Sequence, residues 1–167
     1  FAEDEHGVAP SRNWFRLTDL PNVIEAEPNN SRTDGEAVAV PAAFNGVLSE
    51  GDEWDFFKFN AKKGQVFDVE TYARRIRSPL DAVTYVYDVK SGKQIGANDD
   101  SRGSDSYFRV TIPEDGEYAV GIRDHLRQGS DVHTYRVEVT PVEPKLLARP
   151  IEFRRYVQPQ IIIPQGG

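Results

Sequence analysis

The sequence contains no cysteine, which removes disulfide staples and thiol nucleophiles from consideration and leaves the redox compartment open. It also lacks a long apolar run. Runs such as Ile161-Ile162-Ile163 fall far short of the ~20 residues that cross a bilayer, so no membrane insertion is expected. Positive charge is in deficit: 20 Lys and Arg against 27 Asp and Glu give a net charge of −7, which repels phosphate backbones and argues against nucleic acid as a partner. Histidine is scarce, at 3 residues, and neither an HExxH nor a GxSxG motif is present. Triads are geometric and not sequential, so Ser130 with His125 or His133 and Asp124 or Asp131 is a formal possibility. Polar loops commonly hold these residue types, and the chain is expected to be non-catalytic.

What the sequence does have is alternation. No stretch keeps a helical period for three turns, whereas Phe108, Val110 and Ile112, then Tyr118, Val120 and Ile122, then Tyr135, Val137 and Val139 each mark one face of a strand. Such strands are half-buried and antiparallel. Further strands are expected near 36 to 41, 44 to 48, 54 to 60, 64 to 74, 82 to 88 and 93 to 97. The turn sequences Lys62-Lys63-Gly64, Ser91-Gly92, Asn98-Asp99-Asp100 and Glu114-Asp115-Gly116 separate them. Many short strands with glycine-bearing turns predict an all-β fold, a jelly-roll-like antiparallel β-sandwich. At 167 residues one such domain buries roughly 70% of its unfolded surface. No internal repeat is detectable.

Two groups of side-chain oxygens stand out against this background. Glu25-Ala-Glu27-Pro-Asn29-Asn30-Ser31 precedes one predicted strand, and Gly51-Asp52-Glu53-Trp54-Asp55 opens another. Together they can supply the six to eight hard oxygen ligands that a calcium ion takes. Alternate residues of an extended segment point the same way, which puts Glu25, Glu27 and Asn29 on one side, and Glu53 and Asp55 on one side of their strand. Bringing the two together around calcium would clamp the first segment onto the sandwich; without the ion the clustered charges would repel it. Glu-Pro-Asn-Asn-Ser is equally a good turn sequence.

The motifs, taken in order, are specific. Glu27-Pro28-Asn29-Asn30-Ser31, Gly46-Val47-Leu48, Gly51-Asp52 with Asp55-Phe56-Phe57-Lys58-Phe59, Lys63-Gly64-Gln65, Ser78-Pro79-Leu80-Asp81, Asp88 with Gly92, Asn98-Asp99-Asp100, Gly116-Glu117-Tyr118 and Tyr135-Arg136-Val137 together resemble the bacterial pre-peptidase C-terminal domain. The resemblance runs from about residue 25 to 140. It extends to the collagen-binding domains of clostridial collagenases, and it implies a jelly-roll sandwich with calcium at the N-terminal linker. By motif position it implies Glu25, Glu27 and Asn29 as ligands, with Asp55 and either Asp52 or Glu53 closing the site. Family members often read Gly-Asp-x-Asp-aromatic, and this chain has one more residue between Gly51 and Asp55. Either Asp52 reaches the ion across a bulge or Glu53 takes its place. Collagen-binding members present an exposed aromatic where Arg123 stands here, which speaks against collagen as the ligand.

The expected organisation is an extended lead-in from a preceding domain over 1–24, the sandwich over 25–142, and a linker or the start of a following domain over 143–167. Opening on Phe1 and ending on Gly166-Gly167, the chain reads as a piece of a longer protein. Apolar stretches at Trp14-Phe15-Arg16-Leu17 and Ile151-Glu152-Phe153 are read as single strands in those terminal segments, and Ile161-Ile162-Ile163 as an adhesive edge. The function expected is that of a secreted or cell-surface bacterial accessory domain, carrying calcium and targeting or spacing its parent, with a secreted peptidase as the candidate parent, on an extracellular polymer or matrix protein. The alternatives are a carbohydrate-binding module, for which Tyr85, Tyr87 and Tyr107 are candidate platform residues, and a purely structural linker stiffened by calcium. Asn98-Asp99-Asp100-Ser101 is read as a turn. Arg74, Arg75 and Arg77 are read as a solvated strand end paired to Asp81 or Glu70.

Overall fold

The computed structural model describes residues 3–8 and 14–142. Along them run β1 Glu3–Asp4, β2 Gly7–Val8, β3 Asn22–Ile24, β4 Ala37–Val38, β5 Ala42–Val47, β6 Asp55–Ala61, β7 Val66–Tyr72, β8 Ala82–Asp88, β9 Gln94–Asn98, β10 Tyr107–Thr111, β11 Gly116–Asp124 and β12 Thr134–Pro141. β1 and β2 pair only with each other. The rest form two five-stranded sheets, ordered β10-β7-β12-β5-β3 and β4-β6-β11-β8-β9. All pairings within the two sheets are antiparallel except at one edge of each, where β3 runs parallel to β5 and β4 parallel to β6. The all-β sandwich expected from the alternation is therefore the observed fold.

The core lies where the two inner faces meet. Phe44, Phe67, Val69, Tyr135, Val137 and Val139 from the first sheet oppose Phe57, Phe59, Val86, Tyr118, Val120 and Ile122 from the second, all buried. Phe44 stacks on Phe57 at 4.7 Å and Phe59 meets Phe67 edge-on at 5.7 Å, so aromatic pairs join the sheets. The buried hydroxyls of Thr71 and Thr84 satisfy one another across the same gap at 2.7 Å.

The two outer faces differ in chemistry. On the first sheet the outward positions are charged and paired: Arg16 forks onto Glu138 at 3.0 and 3.1 Å, Arg136 joins the same carboxylate at 2.9 Å, and Arg109 forks onto Asp68 at 2.8 and 3.0 Å. These guanidinium partners hold the Asp68 carboxyl below its ordinary range, and Glu138 is lowered too, because Arg16 and Arg136 outweigh its burial. On the second sheet the outward positions Trp54, Phe56, Tyr85 and Tyr87 are aromatic. They lie over the small residues Ala119 and Gly121 of the central strand β11, which explains why β11 is buried on both faces.

Two readings of the lead-in differ from the structure. Residues 14–17 form no strand; Trp14, Phe15 and Leu17 are 68 to 79% exposed, because their backbone pairs with none of the strands, while Arg16 is fastened to Glu138 of the sandwich. Conversely, Asn22–Ile24 add a short parallel strand beside β5, although nothing in their alternation announces it. The segments 151–153 and 161–163 lie outside the described residues.

Candidate metal centre

The chain entering the first sheet is fixed by its backbone before its side chains matter. Glu25 N–H donates to Asn45 O at 3.0 Å, prolonging the β3–β5 pairing, and Phe56 N–H donates to Asn29 O at 2.8 Å, fastening the 25–29 segment to the start of β6. The segment thus bridges the two sheets at one end of the sandwich. Its carboxylates converge there: one oxygen each from Glu25, Glu27 and Asp55 lie within 4.8 Å of one another.

Two glimpses of local chemistry show how the space is made. Gly46 on β5 leaves the room that the Glu25 carboxylate and the Tyr135 hydroxyl occupy; a Cβ at this position would fall inside both groups. Glu25 also accepts from Val47 N–H at 2.9 Å, and the Tyr135 hydroxyl donates to Asp55 at 2.5 Å with Glu25 at 3.1 Å. Asn29, 4% exposed, stands against Glu27, whose carboxylate accepts from Asn29 N–H at 3.0 Å. The near end of the Asn29 carboxamide lies 3.0 Å from both Glu27 carboxylate oxygens, and with its nitrogen turned that way it donates to both. A half-turn presents its oxygen in the same direction.

Electrostatically the centre is unlike every other buried acid among the described residues. Asp105, fully buried, accepts from three backbone N–H groups and the Arg75 guanidinium; Asp124 accepts from Asp81 and Gln128 N–H; Glu138 holds two arginines. Asp55, also fully buried, meets one donor, the Tyr135 hydroxyl, and otherwise faces carboxylates. Burial pushes the Asp55 carboxyl up to about 8; the Tyr135 hydroxyl holds it down in part, and the Glu25 carboxylate beside it pushes it further up. Burial likewise raises the Tyr135 phenol, reinforced by the Asp55 charge. Proximity of like charges in a desolvated place is stable only when a proton or a cation sits among them.

The other expected ligands are engaged elsewhere. β6 begins only at Asp55, so Glu53 precedes the strand, and its carboxylate accepts from Ser49 Oγ at 3.2 Å and Glu50 N–H at 2.9 Å. Asp52 sits at φ 63°, exposed, 3.5 Å from the Arg127 guanidinium. Tyr135 and Gly46 went unread as site residues, since a tyrosine among valines on an inward face looks like core. Its hydroxyl was the available signal, because a buried Tyr oxygen needs a partner.

The remaining constellations resolve as local structure. Ser130 Oγ is 2.7 Å from His133 Nδ1, but His133 Nε2 is buried and meets no carboxylate, so no triad is assembled. Asn98 Oδ1 accepts from Ser101 and Tyr107 N–H, an Asx turn. Arg75 pairs with Asp105 and Glu70. No helix among the described residues is long and apolar enough to cross a membrane.

Residues 53–124 match the family model described as the bacterial pre-peptidase C-terminal domain, the family that the sequence motifs resemble. A probable subtilase-type serine protease of Deinococcus radiodurans is 30% identical over 118 residues, 66% of this chain and 16% of that protein. The chain thus spans about one sixth of that relative. Among solved structures, the pre-peptidase C-terminal domain of a Bacillus anthracis collagenase aligns with 75% of this chain and 99% of its own, at 12% identity and TM-score 0.45. A periplasmic inhibitor of g-type lysozyme from Aeromonas hydrophila aligns with 74% and 97%, at 17% identity and TM-score 0.44.

Proposed function

We propose, from the premise that residues 53–124 form a bacterial pre-peptidase C-terminal domain, that this chain is a non-catalytic accessory domain of a larger secreted protein, with calcium clamping its N-terminal segment. The observation that carries the metal reading is Asp55, a fully buried carboxylate that meets two glutamates where the other buried acids meet cations or N–H groups. Glu25, Glu27 and Asp55 would hold the ion through carboxylate oxygens and Asn29 through its carboxamide oxygen, with water completing a hard-oxygen shell. The ion would supply positive charge in place of a proton. It would thereby lock the 25–29 segment across both sheets and fix the direction from which the preceding chain arrives.

A non-catalytic role agrees with the Ser130–His133 pair lacking an acid, and a peptidase parent with the Deinococcus radiodurans relative. Positioning the parent on an extracellular polymer or matrix is the function such a rigid, calcium-set module would serve. Binding to the folded state alone raises stability by mass action, so millimolar calcium is expected to raise the unfolding temperature by roughly 5 °C or more over chelator. Glu27→Ala should reduce the rise sharply while leaving unfolding in chelator little changed. An equal rise in the variant would show that calcium acts elsewhere.

A further inference from the structure

The outer face of the second sheet breaks the rule that the first sheet obeys. A solvated sheet face carries polar or charged residues, yet here Trp54 and Phe56 of the β6 side and Tyr85 and Tyr87 of β8 form one tile of four half-buried rings. Centroids are 5.5 Å apart for Trp54–Phe56, 5.2 Å for Trp54–Tyr85, 6.2 Å for Phe56–Tyr87 and 5.8 Å for Tyr85–Tyr87. Gly121 between them permits this: a Cβ there would come within 2.6 Å of the Phe56 ring, so the glycine lets that ring lie down on β11. Tyr107, the third tyrosine considered from the sequence, belongs to the other sheet, bonded to Asp68.

The tile is edged with positive charge on a chain whose net charge is −7. Arg123 lies 5.3 Å from the Trp54 ring centroid and 3.4 Å from the Tyr85 hydroxyl, and among the described residues it has no carboxylate partner. Flat amphipathic rings with fixed donors at the rim are suited to a ligand that has apolar C–H faces and polar edges. The guanidinium, held by Trp54 and Tyr85 and without a carboxylate partner among the described residues, offers a local positive charge to an anionic group at contact range, where it outweighs the screened repulsion of a net charge of −7.

We infer that the tile of Trp54, Phe56, Tyr85 and Tyr87, with Arg123 at its rim, is a docking face for an acidic polysaccharide, whose pyranose rings lie on the aromatics and whose carboxylate or sulfate groups meet Arg123. This site is on the outer face of the second sheet and does not depend on the calcium reading. The test is electrophoresis of the 167-residue chain through native gels containing polygalacturonate, heparin, dextran or gelatin, beside Trp54→Ala and Arg123→Gln. Either acidic glycan is expected to retard the chain, with the two arms telling carboxylate from sulfate, and dextran and gelatin to leave it free. Each variant is expected to weaken retardation about tenfold, as read from the glycan concentration required. Arg123→Gln keeps the test intact should Trp54→Ala fail to fold, which its thermal transition reports. Migration unaffected by both glycans, retardation undiminished in Arg123→Gln, equal retardation by dextran, or retardation by gelatin alone would each overturn the inference; gelatin alone would assign the face to a protein partner.

Discussion

In chelator, the unfolding temperature of the domain rises as the pH falls from about 8 to about 5, and Asp55→Asn abolishes that rise. The sign follows from linkage. Asp55 holds its proton up to about pH 8 in the folded state, whereas an unfolded aspartate gives it up near 4, so the folded chain binds more protons across this window. The stabilising contribution is therefore complete below the unfolded value and is lost as the pH rises through about 8. Acids with lowered values, Asp68, Asp88 and Glu138, act in the opposite direction but only once the pH falls into and below the ordinary carboxylate range. Between about 5 and 8 the Asp55 contribution dominates. Asp55→Asn supplies a neutral side chain of the same shape, which can still accept from Tyr135. In chelator at pH 8 it should therefore unfold several degrees higher than the unsubstituted protein, roughly 5 °C for about 2 kcal/mol, and be nearly indifferent to calcium. A variant less stable than the parent at pH 8 in chelator, or a flat pH profile in the parent, would show that the buried carboxylate carries no such penalty.

Gly46→Ala is expected to have the largest effect of any single-methyl change near the site. The methyl has nowhere to go: it overlaps the Glu25 carboxylate and the Tyr135 hydroxyl and ring together. Tyr135 is fixed by core packing against Phe57 at 6.3 Å, so Glu25 is the group that must leave. Its departure breaks the Val47 N–H to Glu25 bond and opens the carboxylate cluster. Overpacking of this kind costs about 1–3 kcal/mol, and the calcium response should vanish with it. Gly121→Ala is the matched control, since the nearest atoms to its methyl belong to the Phe56 ring on the far side of the second sheet. It should destabilise while leaving the calcium-dependent rise in place. Thermal unfolding of both variants with and without calcium separates a local effect on the cluster from general damage to the sandwich.

Much of this was legible in the sequence because alternation and turns act locally. Nine strands expected between residues 36 and 139 correspond to β4 through β12, and most of them have an inward row of apolar or aromatic residues that a one-residue slip would expose. β3 escaped notice because three residues after Pro21 are too few to show a period, and its parallel pairing with β5 comes without a connecting turn. Residues 14–17 misled in the reverse direction: three apolar side chains look like a strand wherever they fall, but a strand needs a partner, and these residues pair with none. Within the site, the grouping of Glu25, Glu27 and Asp55 followed from the density of acids. The places of Asp52 and Glu53 did not, since a turn at 49–53 offers N–H and hydroxyl donors that a sequence does not display. Gly46 and Tyr135 act through space made and filled by residues 89 positions apart, which no local pattern can register.

The central claim, that a cation takes the place of a proton at Asp55, is tested most directly by calorimetric titration of the chelator-stripped chain with calcium at about pH 7 in buffers of different ionisation enthalpy. Because Asp55 is largely protonated at that pH in the metal-free state, the account predicts one calcium bound per chain with close to one proton released, and neither heat in Asp55→Asn. Calcium binding with no proton released, or no binding at millimolar calcium, would contradict it.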